Sequence, residues 1–413
     1  MDNGAGALHK PAMGDFLRRM EWLGRSRALG YLRLLAILNL GMIVLLLVTS
    51  THGVDRNGFL LGSDFISFWT SGRMLNSGMN PYDAAAHLAV QRDFFASPDG
   101  FTAFFYPPSF LPLCWPLGLL DYFPALAAWL LFTGTIYVTA IRQWHRGTAV
   151  SAPPWLLIAA FPAVPIVITH GQTAFLVAGM LGLAVISLPK RPMLAGLLFG
   201  LATIKPQLGL LFPVALLASH EWKAIVAACL SALVLAGAST LAFGYHNWPD
   251  WLAAAARART AMEAGAVPFA KMVTPFAAMR LTGAPVQAAY AVQGIVTLFA
   301  VGAVSLIAWR QRWSAGLGAA SLAGAPLATP FALDYDLVIL AFPLLWLTGQ
   351  GLRTGFAPYE KPAIAVAFIL AAFARPLALV IPVQIAPFAC ALLFALIIRR
   401  ATGTAPYALD QAS

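Results

Sequence analysis

The hydrophobic positions of the chain gather into long runs that are separated by short polar stretches. Half of these runs have the length of a helix that crosses a bilayer, about 17–25 residues. They predict spans at residues 31–49, 122–141, 154–169, 173–188, 224–243, 285–309, 315–328, 337–347, 362–374 and 377–398. Prolines interrupt two further stretches, 104–120 and 193–219. We interpret these as a re-entrant element and a hairpin of two half-spans, which gives about ten to twelve membrane elements.

Composition supports the same fold class. The 413 residues are 60% hydrophobic and only 10% charged, with a mean hydropathy of +0.76. A soluble domain carries about 25% charged residues. A chain with so few polar groups cannot cover its surface in water, so the bilayer is its solvent. We predict an all-α polytopic membrane protein with amphipathic helices in its outward-facing loops.

The charge pattern sets the predicted orientation. The net charge is +10, but the Lys and Arg residues are dispersed between the apolar runs, which argues against nucleic-acid binding. Most of them fall on one side if the N-terminus is cytoplasmic, as the positive-inside rule requires. The chain then divides into a cytoplasmic tail (1–30), one transmembrane domain (31–400) and a second cytoplasmic tail (401–413). Its polar loops at about 50–103 and 244–283 face the exterior of the plasma (inner) membrane.

The first outer loop contains the main candidate for catalysis, the stretch 62–73. Apolar side chains recur there at three- and four-residue steps, which predicts a helix lying along the membrane surface with its aromatic side in lipid. The members of this face are Phe65, Phe68, Trp69 and Gly72. Ser63 is a plausible N-cap, which places Asp64 in the first turn. A carboxylate there, near Arg73, suits a general base. The alternative is that Asp64 only caps the helix.

Lys205 is the clearest ionisable residue inside an apolar stretch, near the tip of the predicted hairpin. Such residues are costly in a membrane and usually functional. The hairpin holds no acidic partner, which favours contact with a ligand phosphate. The alternatives are an ion pair with a distant Asp, or snorkelling. In the second outer loop, Lys271 and its basic neighbours are interpreted as a solvated face, with headgroup or phosphate binding as the sharper option.

Two further polar segments lie at predicted membrane boundaries. His170 and Gln172 flank a glycine at the start of a span, where free N–H groups suit an anion or sugar hydroxyls; the alternative is a plain capped turn. Asp334, Tyr335 and Asp336 form the other segment. They are suited to grip sugar hydroxyls, or the carboxylates cap the helix that follows, which explains one of them more easily than both.

The motifs together resemble a known family. They are Asp64-Phe65…Phe68-Trp69…Gly72, Asn80-Pro81-Tyr82-Asp83, Tyr106-Pro107-Pro108…Pro116-Leu117, Gly171-Gln172, Ala195-Gly196-Leu197…Gly200-Leu201-Ala202…Lys205-Pro206 and Thr329-Pro330…Tyr335-Asp336. Their order and spacing over residues 60–340 resemble glycosyltransferase family 87, integral-membrane enzymes of the GT-C class. The late segment often carries a His in mycobacterial members of that family, whereas Leu333-Asp334-Tyr335-Asp336 stands here.

The resemblance implies a GT-C-like bundle that transfers a sugar, a mannose-like hexose or another, with inversion. The donor would be a polyprenyl-phosphate sugar and the acceptor a lipid or glycan, at the periplasmic face. Asp64 would be the catalytic base. The substrate-binding residues would be Arg73, Tyr106, His170, Gln172, Lys205, Asp334, Tyr335 and Asp336. A base and a cation on the lipid phosphate suffice for this chemistry, so we expect no metal and no cofactor besides the lipid-linked donor.

Two other function classes fit the same sequence. A transporter or flippase of lipid-linked sugars predicts polar residues along both halves of the bilayer. A non-catalytic scaffold predicts that Asp64 is dispensable. The polar residues gather in the outer half, which favours the enzyme. The three cysteines lie far apart in apolar runs and predict neither a disulfide nor a metal site. The sequence leaves the oligomeric state open.

Overall fold

The computed structural model describes residues 13–94 and 102–403, and side chains from residue 16 onward. The described residues form 19 α-helices and contain no β-strand. The helices are α1 (Met13–Arg19), α2 (Arg25–Thr49), α3 (Phe65–Asn76), α4 (Ala84–Gln91), α5 (Leu111–Leu117), α6 (Tyr122–Arg146), α7 (Pro154–Ala160), α8 (Ala163–His170), α9 (Ala174–Ser187), α10 (Pro192–Leu201), α11 (Leu211–Ala218), α12 (Trp222–Phe243), α13 (Asn247–Glu263), α14 (Pro275–Leu281), α15 (Val286–Gln311), α16 (Ala315–Gly324), α17 (Ala341–Thr354), α18 (Glu360–Val380) and α19 (Ala386–Gly403).

Seven helical segments among the described residues are long and apolar enough to cross a membrane. They are α2, α6, α12, α15, α17 with the 3₁₀ turn before it, α18 and α19. Shorter apolar helices, including α9 and α16, pack between them. The prediction of an all-α polytopic membrane protein is confirmed. The outer parts of the predicted tails, residues 1–12 and 404–413, lie outside the described residues.

The predicted boundary between the last two spans is wrong. Arg375 and Pro376 do not separate two helices, because α18 continues through both and ends at Val380. Proline is tolerated inside a membrane helix when neighbouring groups satisfy the freed backbone. Arg375 also approaches Asp334, with 3.8 Å between Nη1 and Oδ2, which gives this charge a partner within the bundle. The chain turns instead at residues 381–385.

Helix α3 is buried within the protein and does not lie on a lipid surface as predicted. Nine of its twelve residues are buried, including the polar Ser67 and Thr70. Its aromatic side chains find their partners inside the chain: the ring centroids of Phe68 and Phe110 are 5.1 Å apart, and those of Phe68 and Trp129 5.8 Å. The periodicity correctly predicted a helix with an aromatic face, but protein covers that face.

The proline-rich stretch after residue 104 folds against α3, as predicted. It forms a 3₁₀ turn, Pro108–Phe110, followed by α5. Two glycines make the close approach possible. A Cβ on Gly72 would lie 2.2 Å from the carbonyl oxygen of Cys114, and one on Gly118 would lie 2.1 Å from the backbone of Gly72. The backbones of α3 and α5 therefore touch with no room for a side chain.

Residues 192–218 form the predicted hairpin. Two 3₁₀ turns flank Lys205, and the rings of Phe199 and Phe212, on opposite arms, lie 4.8 Å apart. Gly196 packs against Ala224 and Gly200 against Ala228, so α10 and α12 run in the same direction. The chain therefore runs along α10, returns along α11 and runs along α12 in the direction of α10, which confirms the hairpin. Lys205 lies at the tip of this hairpin, away from the chain turns at 190 and 220.

A separate charged cluster forms around Glu360, at the start of α18. Its fully buried carboxylate pairs with Arg399 at 3.3 Å and Arg400 at 2.6 Å, both in the last helix. Lys361 donates to the main-chain carbonyl of Met20 at 3.1 Å, which ties the segment before α2 to α18. These contacts join both ends of the described chain to one end of the bundle.

We expect Gly72→Ala to destabilise the protein, because the new methyl group would overlap the backbone of α5. Overpacking of this kind costs about 1–3 kcal/mol. Gly134→Ala in α6 is the matched control, since nothing lies within 4 Å of a Cβ at that position. Thermal unfolding of the purified protein in detergent checks the prediction. Equal unfolding temperatures for the two variants would contradict the close approach of α3 and α5.

Acid should weaken the first outer loop through His87. Its ring is buried, donates from Nε2 to the carbonyl of Pro81 at 2.8 Å, and lies 3.2 Å from Gln91 through Nδ1. Burial lowers the pKa of His87 from 6.5 to about 4, against the opposing effects of the Pro81 hydrogen bond and Asp83. The unfolded chain binds a proton before the folded one, so stability is complete above pH 6.5 and is lost as the pH falls toward 4.

The loss should be on the order of 3 kcal/mol in the free energy of unfolding. Thermal unfolding between pH 7 and pH 4 measures it, with His87→Asn as the comparison because Asn does not titrate. The native protein should lose more stability on acidification than the variant. Parallel pH dependences would show that His87 is not held in its neutral form.

Candidate active site

Asp64 occupies the N-cap position of α3, directly before Phe65, and its side chain makes no capping hydrogen bond. The prediction of Ser63 as the N-cap is therefore wrong by one residue, and the alternative that Asp64 only caps the helix is contradicted. Its main-chain N–H donates to the carbonyl of His170 at 3.1 Å. This bond joins the start of α3 to the end of α8 and leaves the carboxylate for other partners.

The Asp64 carboxylate lies between an amide and an ammonium group. The Gln172 side chain donates from Nε2 to Oδ2 at 2.8 Å, and Nζ of Lys271 lies 3.8 Å from the same oxygen. The Asp64 side chain is 18% exposed and that of Lys271 14%. The pair is thus shielded by protein but still open on one side, which is the condition under which a substrate group can reach it.

Lys271 is the residue that sequence reasoning missed. Its sequence context favours a solvated face, with headgroup or phosphate binding as the alternative, but Lys271 ends the 3₁₀ turn Phe269–Lys271 and its side chain is mostly buried. Its position is fixed by backbone contacts on either side. Gln384 donates from Nε2 to the carbonyls of Ala270 and Met272 at 3.0 and 2.7 Å. Sequence spacing alone could not reveal the position of Lys271, because Asp64 and Gln384 are both remote from it in the chain.

Lys205 is already paired within the protein. Its Nζ lies 2.5 Å from Oδ1 of Asp336, and both side chains are almost fully buried. The expectation that Lys205 needs a ligand phosphate therefore fails, and the alternative of an ion pair with a distant Asp is what the structure shows. The pair joins the tip of the hairpin to the segment before α17, and it leaves Lys271 as the cation beside Asp64.

Each carboxylate of the late segment, Asp334 and Asp336, contacts both a main-chain N–H group and a cation. Asp334 accepts from the main-chain N–H of Tyr335 at 2.9 Å and approaches Arg375 at 3.8 Å. Asp336 accepts from the main-chain N–H of Leu333 at 3.1 Å in addition to its bond with Lys205. Each therefore stabilises the start of the 3₁₀ helix Asp334–Leu340 and also neutralises a cation. Asp336 makes the capping-box bond to the N-cap residue Leu333, and Asp334 accepts from the N–H of the next residue, so both side chains bond the start of this helix where the sequence suggested only one.

Tyr335 connects the two lysines. Its buried ring lies 4.9 Å from Nζ of Lys205 and 5.4 Å from Nζ of Lys271, distances at which an aromatic face attracts a cation. The ring centroid of His170 is 5.8 Å away, and the His170 Nδ1 contacts the carbonyl of Ile166 at 2.9 Å. The Tyr335 ring thus packs against both lysines.

A hydrogen-bond chain approaches Asp64 from the other side. The Tyr106 hydroxyl lies 2.9 Å from Oε1 of Gln172 and 2.9 Å from Oγ1 of Thr173. Gln172 then reaches Asp64. Tyr106 belongs to the proline-rich stretch, so this chain joins that stretch to the loop between α8 and α9. The structure brings Tyr106, His170, Gln172 and the three late residues to the surroundings of Asp64, as the sequence predicted.

Arg73 is the predicted site residue that lies elsewhere. It follows Asp64 by nine residues, which is about 13 Å along a helix axis. Its guanidinium contacts the carbonyl of Gly118 at 3.5 Å and lies 5.6 Å from the centre of the Trp69 ring. Proximity in sequence suggested a cation beside the base, but helical rise carries Arg73 to the far end of α3.

The charges of this cluster balance. Three carboxylates, Asp64, Asp334 and Asp336, face three cations, Lys271, Arg375 and Lys205. The buried Lys205–Asp336 pair is the tightest, and the two pairs at 3.8 Å are looser and partly exposed. Among the described residues no three His, Cys, Asp or Glu side chains are grouped to hold a metal ion. The arrangement provides a carboxylate next to a cation at an accessible edge.

Residues 104–330 match the family model of glycosyltransferase family 87. The chain belongs to glycosyltransferase family 87. It is therefore a membrane glycosyltransferase. The matched residues include Tyr106, Gln172, Lys205 and Lys271, whereas Asp64 and the late carboxylates lie outside the matched range. Neither a curated protein nor a solved structure matches the chain.

The Lys205–Asp336 pair should be structural in this glycosyltransferase. Removing one partner leaves an uncompensated buried charge, which costs about 3–5 kcal/mol. We expect Lys205→Met and Asp336→Asn each to lower the unfolding temperature strongly. The double variant should regain most of the loss, because neither charge is then left alone. Asn at 336 can still accept the N–H of Leu333.

Unfolding in detergent without added substrate measures these three variants. If Lys205 served to bind a ligand phosphate instead, Lys205→Met would be as stable as the native protein in the absence of ligand. That outcome would contradict the ion pair as the role of Lys205.

Proposed function

We propose that the protein transfers a sugar from a polyprenyl-phosphate donor to a hydroxyl of a lipid or glycan acceptor, with inversion at the anomeric carbon. The proposal rests on one observation, the partly open Asp64 carboxylate with Lys271 at 3.8 Å. Family membership supplies the reaction class. The donor class, the stereochemical outcome and the residue roles are the proposal.

Each of the two groups matches one need of such a transfer. The acceptor hydroxyl must lose its proton as it attacks the anomeric carbon, and a carboxylate within hydrogen-bond reach is a suitable base. The leaving group is a lipid phosphate, whose negative charge grows as the glycosidic bond breaks. A cation at that position stabilises the charge, and no general acid is needed. Asp64 and Lys271 are assigned these two roles.

The location of the site supports a substrate held by the membrane. Asp64 and Lys271 come from the two long polar loops, so the site lies where these loops meet the helical bundle. A polyprenyl chain is compatible with the apolar helices below it, while the phosphate and the sugar stay at the polar level. The cluster has no net charge, so an incoming phosphate meets Lys271 without a surrounding excess of carboxylates.

The proposed side of the membrane follows from the Lys and Arg distribution. Lys190, Arg191 and Lys223 flank the hairpin at the end away from Lys205. The basic cluster around Glu360 contacts the segment that precedes α2. By the positive-inside rule these ends are cytoplasmic. The site would then face the exterior of the inner membrane, where lipid-linked sugars serve as donors.

Asp64→Asn should abolish transfer without unfolding the protein, because the amide cannot accept the hydroxyl proton. The expected loss in turnover is about 10²–10⁴-fold. Asp83→Asn is the matched control: Asp83 is an exposed N-cap of α4, and Asn caps a helix equally well. Native-like turnover by Asp64→Asn would overturn the assignment.

The assay uses full-length protein in lipid nanodiscs with a panel of undecaprenyl-phosphate hexoses and pentoses. Octyl glycosides and an envelope lipid extract serve as acceptors. Mass spectrometry follows donor consumption and the anomeric product. Consumption of one donor with formation of a glycoside of inverted configuration supports the proposal. Movement of the donor across a proteoliposome membrane without its consumption would favour a flippase, and a nucleotide-sugar requirement would contradict the lipid donor.

A further inference from the structure

Gln172 has its amide orientation fixed by two donors. The main-chain N–H of Thr173 donates to Oε1 at 3.0 Å, and a backbone N–H can only donate. The atom that accepts this bond must therefore be the amide oxygen. The Tyr106 hydroxyl lies 2.9 Å from the same oxygen. Nitrogen and oxygen of an amide are assigned from such networks, and here the network allows one assignment.

It follows that the Gln172 nitrogen faces Asp64. Nε2 donates to Oδ2 at 2.8 Å. The Tyr106 hydroxyl has one hydrogen, which it gives to Gln172, so the Thr173 hydroxyl donates to Tyr106 at 2.9 Å. The bonds then run in one direction, from Thr173 through Tyr106 and Gln172 to the carboxylate. Aligned hydrogen bonds polarise one another, and each strengthens the next.

The backbone fixes the same geometry. Gly171 ends α8 in a left-handed conformation with φ of +64°, and a Cβ there would lie 2.5 Å from Cβ of Phe65. The Trp129 indole donates to the Gly171 carbonyl at 2.9 Å. With the bond from Asp64 N–H to the His170 carbonyl, these contacts hold Gln172 and Asp64 in one unit. The amide can neither rotate nor retreat without breaking buried bonds.

The two oxygens of Asp64 are consequently different. Oδ2 accepts from Gln172 and is the oxygen nearest Lys271. Oδ1 makes no hydrogen bond within the described ranges 13–94 and 102–403. A carboxylate held by one oxygen presents the other to substrate in a fixed direction. Fixed orientation of a reacting group is a large part of enzymatic rate acceleration.

We propose that Gln172, held by Tyr106 and Thr173, is a positioning residue that clamps Oδ2 of Asp64 and leaves Oδ1 to take the proton of the acceptor hydroxyl. The sequence had assigned Gln172 and Tyr106 to substrate binding. This inference rests on the proposed function, since it requires Asp64 to be the base. It adds which oxygen reacts and what holds the other one.

The test compares Gln172→Met with Tyr106→Phe. Met fills a similar volume but donates nothing to Oδ2, so turnover should fall about 10- to 100-fold, the value of a hydrogen bond to a charged group. Tyr106→Phe removes one bond to the amide oxygen and keeps the bond from Thr173. Its turnover should fall about 3- to 10-fold. In both variants the KM for the donor should change less than about twofold, because neither group binds the donor.

The pH profile separates positioning from general stability. Loss of a bond to the charged carboxylate disfavours that charged form, so the acid limb of the turnover profile should move to higher pH. Gln172→Met does not substitute the other titratable groups that face Asp64, which are Lys271, His170, Tyr106, Tyr122 and Tyr335.

Gln293→Met is the matched control, since Gln293 is also buried and holds two backbone groups, those of Phe276 and Leu327. Its acid limb should not move.

Each outcome is decisive. A shifted acid limb with reduced turnover and unchanged KM in Gln172→Met supports the clamp. Native turnover, or reduced turnover with an unmoved acid limb, overturns it. Full activity of Asp64→Asn would instead overturn the proposed function itself, so the two failures are distinguishable. The assay uses the full-length protein in nanodiscs with the undecaprenyl-phosphate sugar selected from the panel.

Discussion

The need to neutralise every charge inside an apolar bundle determines how this protein is built. A buried ion without a partner costs several kcal/mol, and few polar groups are available in a chain of this composition. The solution is pairing across long sequence distances: Lys205 with Asp336, Arg375 with Asp334, and Lys271 with Asp64. Each pair joins segments that are remote in the sequence, so the pairs help to fix how these segments lie against one another.

The three pairs differ in a way that suits a division of labour. Lys205–Asp336 is short and buried, and its carboxylate also holds the backbone of Leu333. Lys271–Asp64 is longer and partly exposed. A tight pair is difficult to disturb and serves architecture, whereas a loose pair at an open edge can exchange its partner for a substrate group. By this criterion Lys205–Asp336 is the architectural pair, whereas Lys271–Asp64 and Arg375–Asp334, both at 3.8 Å, are the pairs that stay accessible.

Much of the fold could be predicted from the sequence, and less of the site. The lengths of the apolar runs predicted the long spans, and the basic residues that flank 192–218 predicted the hairpin. Periodicity identified α3 as a helix, but it could not distinguish lipid from protein as the cover of its aromatic face. The position of Lys271 beside Asp64 could not be predicted either, because its environment is made by Gln384 and Tyr335, which are remote in sequence. The prediction that Arg73 lies beside Asp64 was wrong for the opposite reason: the two residues are near in sequence, but helical rise separates them.

The support of Lys271 by Gln384 has a consequence for how the protein comes into being. Gln384 follows α18 and precedes α19, so the backbone beside Lys271 gains its anchor only after nearly the whole polypeptide has been made. Asp64, by contrast, is synthesised among the first segments. A nascent chain would therefore hold the carboxylate long before its cation is fastened in place. The surroundings of Asp64 are therefore complete only when the segment between α18 and α19 has reached its place beside the second polar loop.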